Sequence, residues 1–588
     1  MKKKYANILL FMILILTLAN SLYWGNRKEG YHVDEMYMYG TANSEYLPFM
    51  HMGPQEYSVR EWMHEYGAAS DPVSFLKNIR KDIGILKACN WNIKASPIYT
   101  AYQHARECSN DTYTSGWMNG SDYRDYLTAS EDSRFNYFSV YYNFRGDNHP
   151  PLYAVLLHTV CSFFPGRFSK WFGIGLNSAI VSLTVLLLYT VVNRHLGGPV
   201  PALMISCLYG LSTAAALGTV FIRMYGLLTL SVLGFIYAHL RMTDKNFKWN
   251  KKDRRILVLF TLLGYLTQYY FLIFAFFTAI TFSLILIRNK RASFLFRYIR
   301  TLIITGITGL ILWPFTLKAI FSGTRSAESF GSIFNLSDLT VRIKTMLGVL
   351  SDSTVGLPYP LFLLLLLFLP LAACMTAKFK KDLRLIAVSE KGFILIVPFT
   401  FYFLIVSKII PYLVDRYIMC LFPLCFILLF CPFAYLTKQL VSKKAGCSLV
   451  LTAGFVLFLI TSSAFRHYNP YLFEGGQETD PVAAGTDCIY ILPANWWNQS
   501  AEDTLLLSQC ERSAVVAEDK LDCLNKSYAP DPGDKLMIVI REGLDTDADL
   551  AYLKDNLIKP GSNLSFKEKS RDISRGRTVI TFDLSEAL

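Results

Sequence analysis

Apolar runs of about 20 residues, parted by short clusters of lysine and arginine, recur from Tyr5 to Ser463 and leave this chain few folds to adopt. The longer runs match the length a helix needs to cross the hydrocarbon core. We assign spans to Tyr5 to Trp24, Trp171 to Val192, Val200 to Thr219, Tyr225 to Leu240, Ile256 to Gln268 and Tyr270 to Ile287. Further spans are Leu302 to Phe321, Pro358 to Thr376, Gly392 to Ser407, Tyr417 to Leu436 and Ser448 to Ser463. The expected fold class is an α-helical polytopic membrane protein of about 11 transmembrane helices, several of them short. With 52% hydrophobic and 18% charged residues over 588 positions, the chain carries more apolar sequence than a soluble core needs.

The net charge of +13 does not point to nucleic acid, because the basic residues fall in short clusters between the apolar runs. That placement sets topology. Arg194-His195, Arg241 to Arg255, Arg288 to Arg300, Lys378 to Lys391 and Lys438 to Lys444 read as inner loops, and Lys2 to Lys4 holds the N-terminus in the cytoplasm. An odd number of spans leaves the C-terminus outside. The first run lacks a persuasive cleavage site, so it reads as an uncleaved anchor. Gln268-Tyr269-Tyr270 interrupts an uncharged stretch between Arg255 and Arg288 and reads as a hairpin.

The sequence divides into a membrane domain, 1–465, with a long outer segment at 25–170, and a tail, 466–588. Strand-like runs at Asp487 to Leu492, Ser513 to Ala517, Lys535 to Arg541 and Arg577 to Phe582 alternate with helical Ala501 to Cys510 and Ala548 to Leu557. A small extracytoplasmic α/β domain is the expectation. Of the 12 cysteines, Cys89, Cys108, Cys488, Cys510 and Cys523 lie outside the spans, an odd number whose pairing the sequence leaves open. None has metal-ligand spacing, so no metal site is assigned. Asp545, Asp547 and Asp549 resemble the start of a calcium loop, but Leu550 and Asn556 stand where glycine and glutamate are needed. They read as acidic residues in the first turn of a helix.

The chemistry gathers at the outer ends of the spans. YHVDEMY follows the first span and puts Asp34 and Glu35 at the bilayer surface. NHPPLYAVLL starts a surface helix with His149 at its head, since proline fixes its own φ and lacks an N–H. Arg223, in FIRMYG at a corner between spans, needs an anionic partner, because an arginine facing lipid costs several kcal/mol. Arg416, in KIIPYLVDRYIMCLFP beside Lys408, Asp415 and Tyr417, raises the same question. A guanidinium offers the fork that suits phosphate.

An acidic pair after the first span, HPPLY before the second, IRMYGL after the third, LTQYYFL near the middle and PYLVDRYIMCLFP near the end occur together in this order. Together they resemble the polyprenyl-phosphate-sugar-dependent glycosyltransferases of the GT-C fold, specifically the protein mannosyltransferase and aminoarabinose transferase superfamily of family 39 type. The resemblance runs from about Lys2 to Phe465. It implies that Asp34 is the catalytic base with Glu35 in support, and that Arg223, Lys408 and Arg416 hold the lipid phosphate. By the same token His149, Tyr225, Gln268 and Tyr417 line the substrate pocket. Many relatives have histidine where Gln268 stands, and an amide cannot take its proton-handling role.

The implied function is a bacterial plasma-membrane enzyme that moves a sugar from a polyprenyl-phosphate donor to an acceptor on the outer face, with no cofactor assigned and a divalent cation not indicated. The chemistry is coherent. Phosphate leaves as a stable anion, so the reaction needs a base for the acceptor hydroxyl and cations for the growing charge. Attack opposite the phosphate gives inversion. The alternative, a transporter or lipid flippase, fits the many spans but calls for polar or broken helices at mid-membrane. Here the midplane sequence is almost wholly apolar and the ionisable residues cluster at one face.

Overall fold

The structure is a computed structural model that describes residues 3–50, 59–65, 72–88, 91–92, 99–101, 103–104, 116–244, 247–322, 337–379, 383–441, 443–463, 470–473, 482–494, 497–558, 564–574 and 576–586. Cys89 and Cys108 lie outside them. Among the described residues nine helices are long and apolar enough to cross a membrane, or ten if one bent pair counts as a span. The chain is a multi-pass membrane protein with a small sheet domain.

Nine or ten of the about eleven expected spans meet that length among the described residues, and three of the expected spans differ in detail. Val200 to Thr219 is two helices, Pro199–Gly210 and Thr213–Val220, bent by 51°. Ser212 makes the break: its hydroxyl accepts from Ala215 N at 3.4 Å and so caps the second helix. Ile256 to Gln268 belongs to a helix, Lys251–Thr267, whose first five residues are charged, so its apolar part falls short of a span. The span expected at Leu302 to Phe321 is Ala292–Leu312 instead. Pro314 explains the shift, because the residue before a proline is pushed out of helical conformation, and Trp313 has φ −139° and ψ 82°. Arg297 and Arg300 therefore lie on the span and not in the loop before it.

The hairpin at Gln268 is present. Lys251–Thr267 ends there and Phe271–Arg288 begins three residues on. Gly264 permits the tight return, since a Cβ at that position would come within 2.4 Å of the Phe271 ring.

Contacts group the chain into two compact units. One comprises Met1–Arg27, Arg145–Tyr153 and Lys170–Asn469; the other comprises Lys28–Phe144, Ala154–Ser169 and Pro470–Leu588. This grouping differs from a division at 465/466, because most of the outer segment packs with the tail. The reason is a strand pairing that no local pattern announces. β1 (Trp117–Asn119), from the outer segment, runs antiparallel to β3 (Arg512–Ala517) of the tail.

The sheet has the order β1-β3-β2-β4-β6-β5, with β2 (Asp487–Leu492), β4 (Lys535–Arg541), β5 (Leu564–Ser574) and β6 (Arg577–Glu586). β2 lies parallel to β3 and β4, while β6 and β5 close one edge antiparallel. The parallel centre is covered on both faces, as its unbroken apolar strands require. Ile489, Ile491, Ile538 and Ile540 face Leu550, Leu553 and Leu557 on one side, and Tyr490, Leu492, Val515 and Val539 face Leu506 and Leu507 on the other. Asp545 caps the Thr546–Asn556 helix through Ala548 N at 3.1 Å, which is the helix-start role read from the sequence. Of the expected helix at Ala501 to Cys510, only Thr504–Leu507 is α-helical, preceded by the 3-10 turn Trp497–Asp503. β5 was not anticipated.

Candidate functional site

Asp34 and Glu35 open the Val33–Asn43 helix in the unit that holds the sheet, and their roles separate at once. Glu35 is fully buried and pairs with the equally buried Lys28 at 2.9 Å. Its Oε2 also accepts from His32 N at 2.7 Å, closing the first helical turn. Lys28 gives a further hydrogen bond to the Tyr471 carbonyl. A buried carboxylate is stable only when compensated in this way, and that makes Glu35 the anchor of the helix. Asp34 points elsewhere: 26% of its side chain is exposed, and His32 Nδ1 lies 3.7 Å from its Oδ2. Its backbone N–H donates to His32 Nδ1 at 3.1 Å, which fixes the backbone of the helix start at Asp34. Burial, then Asp34 and Glu502, push the Tyr37 phenol far above its ordinary value and keep it protonated.

The remaining expected site residues belong to the other unit. Arg223 sits at the corner between Thr213–Val220 and Tyr225–Met242. Asn177, buried in the span Lys170–Leu196, builds that corner. Its Nδ2 donates to the Thr219 and Phe221 carbonyls at 3.1 and 2.8 Å, and its Oδ1 accepts from the Tyr153 hydroxyl at 2.9 Å. One amide thus ties HPPLY to FIRMYG, which the sequence offers as separate motifs.

His149 Nδ1 lies 2.7 Å from Asp147 Oδ1, with about a fifth of each side chain exposed. Burial alone would raise the Asp147 carboxyl, but His149 and then Arg223 hold it below its usual range. Asp147 therefore stays anionic and fixes one imidazole nitrogen. Asp147 was not singled out from the sequence, although Asp-Asn-His directly before the prolines carried the signal.

Tyr417 gathers three of the sequence segments. Its ring meets Tyr225 at 6.4 Å and Tyr270 at 5.7 Å, both edge-on, and the Arg416 guanidinium lies 5.4 Å from its centre. Tyr225 also stacks on Phe221 at 5.6 Å. The Tyr402 hydroxyl donates to the Tyr417 carbonyl at 2.8 Å and pins the 3-10 turn Asp415–Tyr417. Gln268 is 98% buried, and among the described residues its Nε2 has no hydrogen-bond partner. Next to it, Tyr269 accepts from Trp313 Nε1 at 2.9 Å.

Lys408 is already engaged: its ammonium pairs with Asp338, and that contact holds the Asp338 carboxyl below its usual range. Arg342 caps the C-terminal end of the Leu383–Ile409 helix, which carries Lys408, by donating to the Ser407 carbonyl at 3.0 Å and to the Ile410 carbonyl. No group of three or more His, Cys, Asp or Glu residues that could hold a metal ion occurs among the described residues.

No protein-family model matches the chain, and no curated protein matches it. Solved structures with some likeness include ArnT from Cupriavidus metallidurans bound to undecaprenyl phosphate, at 10% identity and TM-score 0.42, covering 74% of this chain and 88% of that one. The same protein in the apo state gives 11% identity and TM-score 0.40, covering 74% and 87%. Likenesses of this degree fix neither family nor chemistry.

Proposed function

We propose that this protein is a membrane glycosyltransferase of the GT-C type, which moves a sugar from a polyprenyl-phosphate donor to an envelope lipid, glycan or protein at the outer membrane face, with inversion. The observation that carries the reading is the cluster around Tyr417, where Arg416, Tyr225 and Tyr270 from three separate motifs meet. Tyrosine faces and edges suit a sugar ring, and a guanidinium beside them suits its phosphate. Arg223 and His149, oriented by Asp147, add cationic and hydrogen-bonding capacity as charge grows on the departing phosphate. Gln268 offers a buried amide donor in search of an acceptor. Lys408, shared with Asp338, contributes less than a lone ammonium would.

Asp34 is the base. It is partly exposed, lies in the first turn of its helix, and is adjacent to a buried Glu35–Lys28 pair that anchors that turn. It takes the acceptor hydroxyl proton as the oxygen attacks the anomeric carbon and the bond to phosphate breaks.

The test is ligand-linked melting of the purified chain in lipid discs. Undecaprenyl phosphate should raise the melting temperature and the matching polyprenol should not, because a ligand that binds only the folded state stabilises it. Equal shifts from both lipids, or none from either, would contradict a phosphate grip.

A further inference from the structure

At the C-terminal end of the Leu383–Ile409 helix a buried cation is neutralised by a carboxylate that stands half in water. The Lys408 side chain is 8% exposed, and Asp338, 2.5 Å away, is 45% exposed. The pair is unequal: water can take over the carboxylate, whereas the buried ammonium needs an anion. Asp338 also has another place to go. It is the N-cap residue of the Leu339–Thr354 helix, yet its side chain makes no capping hydrogen bond there. An aspartate in that position ordinarily accepts from the first backbone N–H groups, so Lys408 holds it away from its usual role.

Two more groups meet at this helix end. The Ser407 hydroxyl is fully buried and has no hydrogen-bond partner among the described residues. Arg342, one turn after Asp338, lies 3.5 Å from its carboxylate and donates to the Ser407 carbonyl at 3.0 Å. An ammonium, a guanidinium and a spare hydroxyl exceed what one carboxylate can satisfy. Phosphate fits them better, since it brings more oxygens and, as its sugar departs, more charge. The Leu339–Thr354 helix also packs against the turn Asp415–Tyr417, so this helix end adjoins the segment that carries Arg416 and Tyr417.

Resting on the reading of this protein as a user of a polyprenyl-phosphate donor, we propose that Asp338 is a stand-in for the lipid phosphate: it holds Lys408 until the phosphate takes the ammonium, then turns to cap its own helix. Lys408, Arg342 and the Ser407 hydroxyl form the seat. Asp338 sets the affinity of that seat without touching the lipid, because each binding event has to displace it.

The experiment measures undecaprenyl phosphate binding to the full chain in phosphatidylcholine discs, with the matching polyprenol as control. Asp338→Asn should lower the melting temperature without lipid and yet tighten binding, by about tenfold if the carboxylate occupies Lys408 in roughly nine molecules of ten. Lys408→Met should weaken binding and abolish the gain from Asp338→Asn. Unchanged or weaker binding by Asp338→Asn, or the same gain in the Lys408→Met background, would overturn the proposal. A second measurement needs no variant. A carbodiimide joins a carboxylate to an amine in contact with it, so the native chain should form an Asp338–Lys408 amide, detected by mass spectrometry of its peptides. Undecaprenyl phosphate should suppress that cross-link and polyprenol should not. No cross-link without lipid, or one undiminished at saturation, overturns the proposal even if Asp338→Asn does not fold. A native chain that binds no undecaprenyl phosphate would instead remove the donor reading itself, whereas native binding that Asp338→Asn fails to tighten would defeat only this inference.

Discussion

Asp34 and Glu35 are neighbours in the chain, yet Glu35 is sealed against Lys28 while a quarter of the Asp34 side chain reaches solvent. Substitution should therefore separate them. Glu35→Gln leaves the Lys28 ammonium buried without its counter-charge and should destabilise the fold by about 3–5 kcal/mol, read in thermal or denaturant melting. Asp34→Asn should leave the melting temperature near that of the native chain. Equal destabilisation by both would merge their roles. Arg416 calls for a second comparison: Arg416→Lys keeps the charge but loses the fork, and Arg416→Ala loses both. Undecaprenyl phosphate binding should weaken in that order, by about 1.5–3 kcal/mol for the alanine variant. Unchanged affinity with a lowered melting temperature would make Arg416 a structural residue. At this scale the sequence disclosed chemistry but not burial. Asp34, Glu35, Arg223 and Arg416 could be singled out by type and place, whereas the Lys28 partner of Glu35 and the Asp147 partner of His149 depend on where chains meet.

Helices and strands were legible where one periodicity ran unopposed. β2 and β4 have the bounds read from their apolar patterns, and the Gln268 hairpin falls where the polar and aromatic residues interrupt the run. The errors have local causes: Ser212 breaks a helix, Pro314 moves a span toward the N-terminus, and exposed polar β5 offers no apolar alternation. Packing adds demands that no window of sequence carries. A Cβ on Gly40 would fall 2.1 Å from the Tyr126 ring, so the Val33–Asn43 helix can approach its neighbour only with glycine there. Gly40→Val should overpack that contact and cost about 1–3 kcal/mol, with turnover falling as the helix bearing Asp34 is displaced. Native melting and native turnover in this variant would show that the contact yields freely.

For the whole molecule, membrane class and the small sheet domain followed from composition and spacing, but the grouping of residues 28–144 with the tail did not. β1 is three residues long and pairs with β3 across most of the chain, and so short a strand leaves no pattern of its own. Orientation rests on the basic loops and is open to a direct check. Cys523 is exposed in the tail and should react in intact cells with an impermeant thiol reagent, with Cys523→Ser as control. A cysteine at Lys248 should stay protected until the membrane is opened. Labelling at 248 in intact cells, or protection at 523, would invert the assigned topology. The central claim, that a sugar leaves a polyprenyl phosphate through the work of Asp34, is tested most directly by supplying radiolabelled polyprenyl-phosphate sugars to membranes with the native chain or Asp34→Asn. One donor should pass its label to an acceptor, at a rate lower by about two to four powers of ten in the variant while donor binding persists. No transfer from any donor, or equal transfer by both chains, would contradict it.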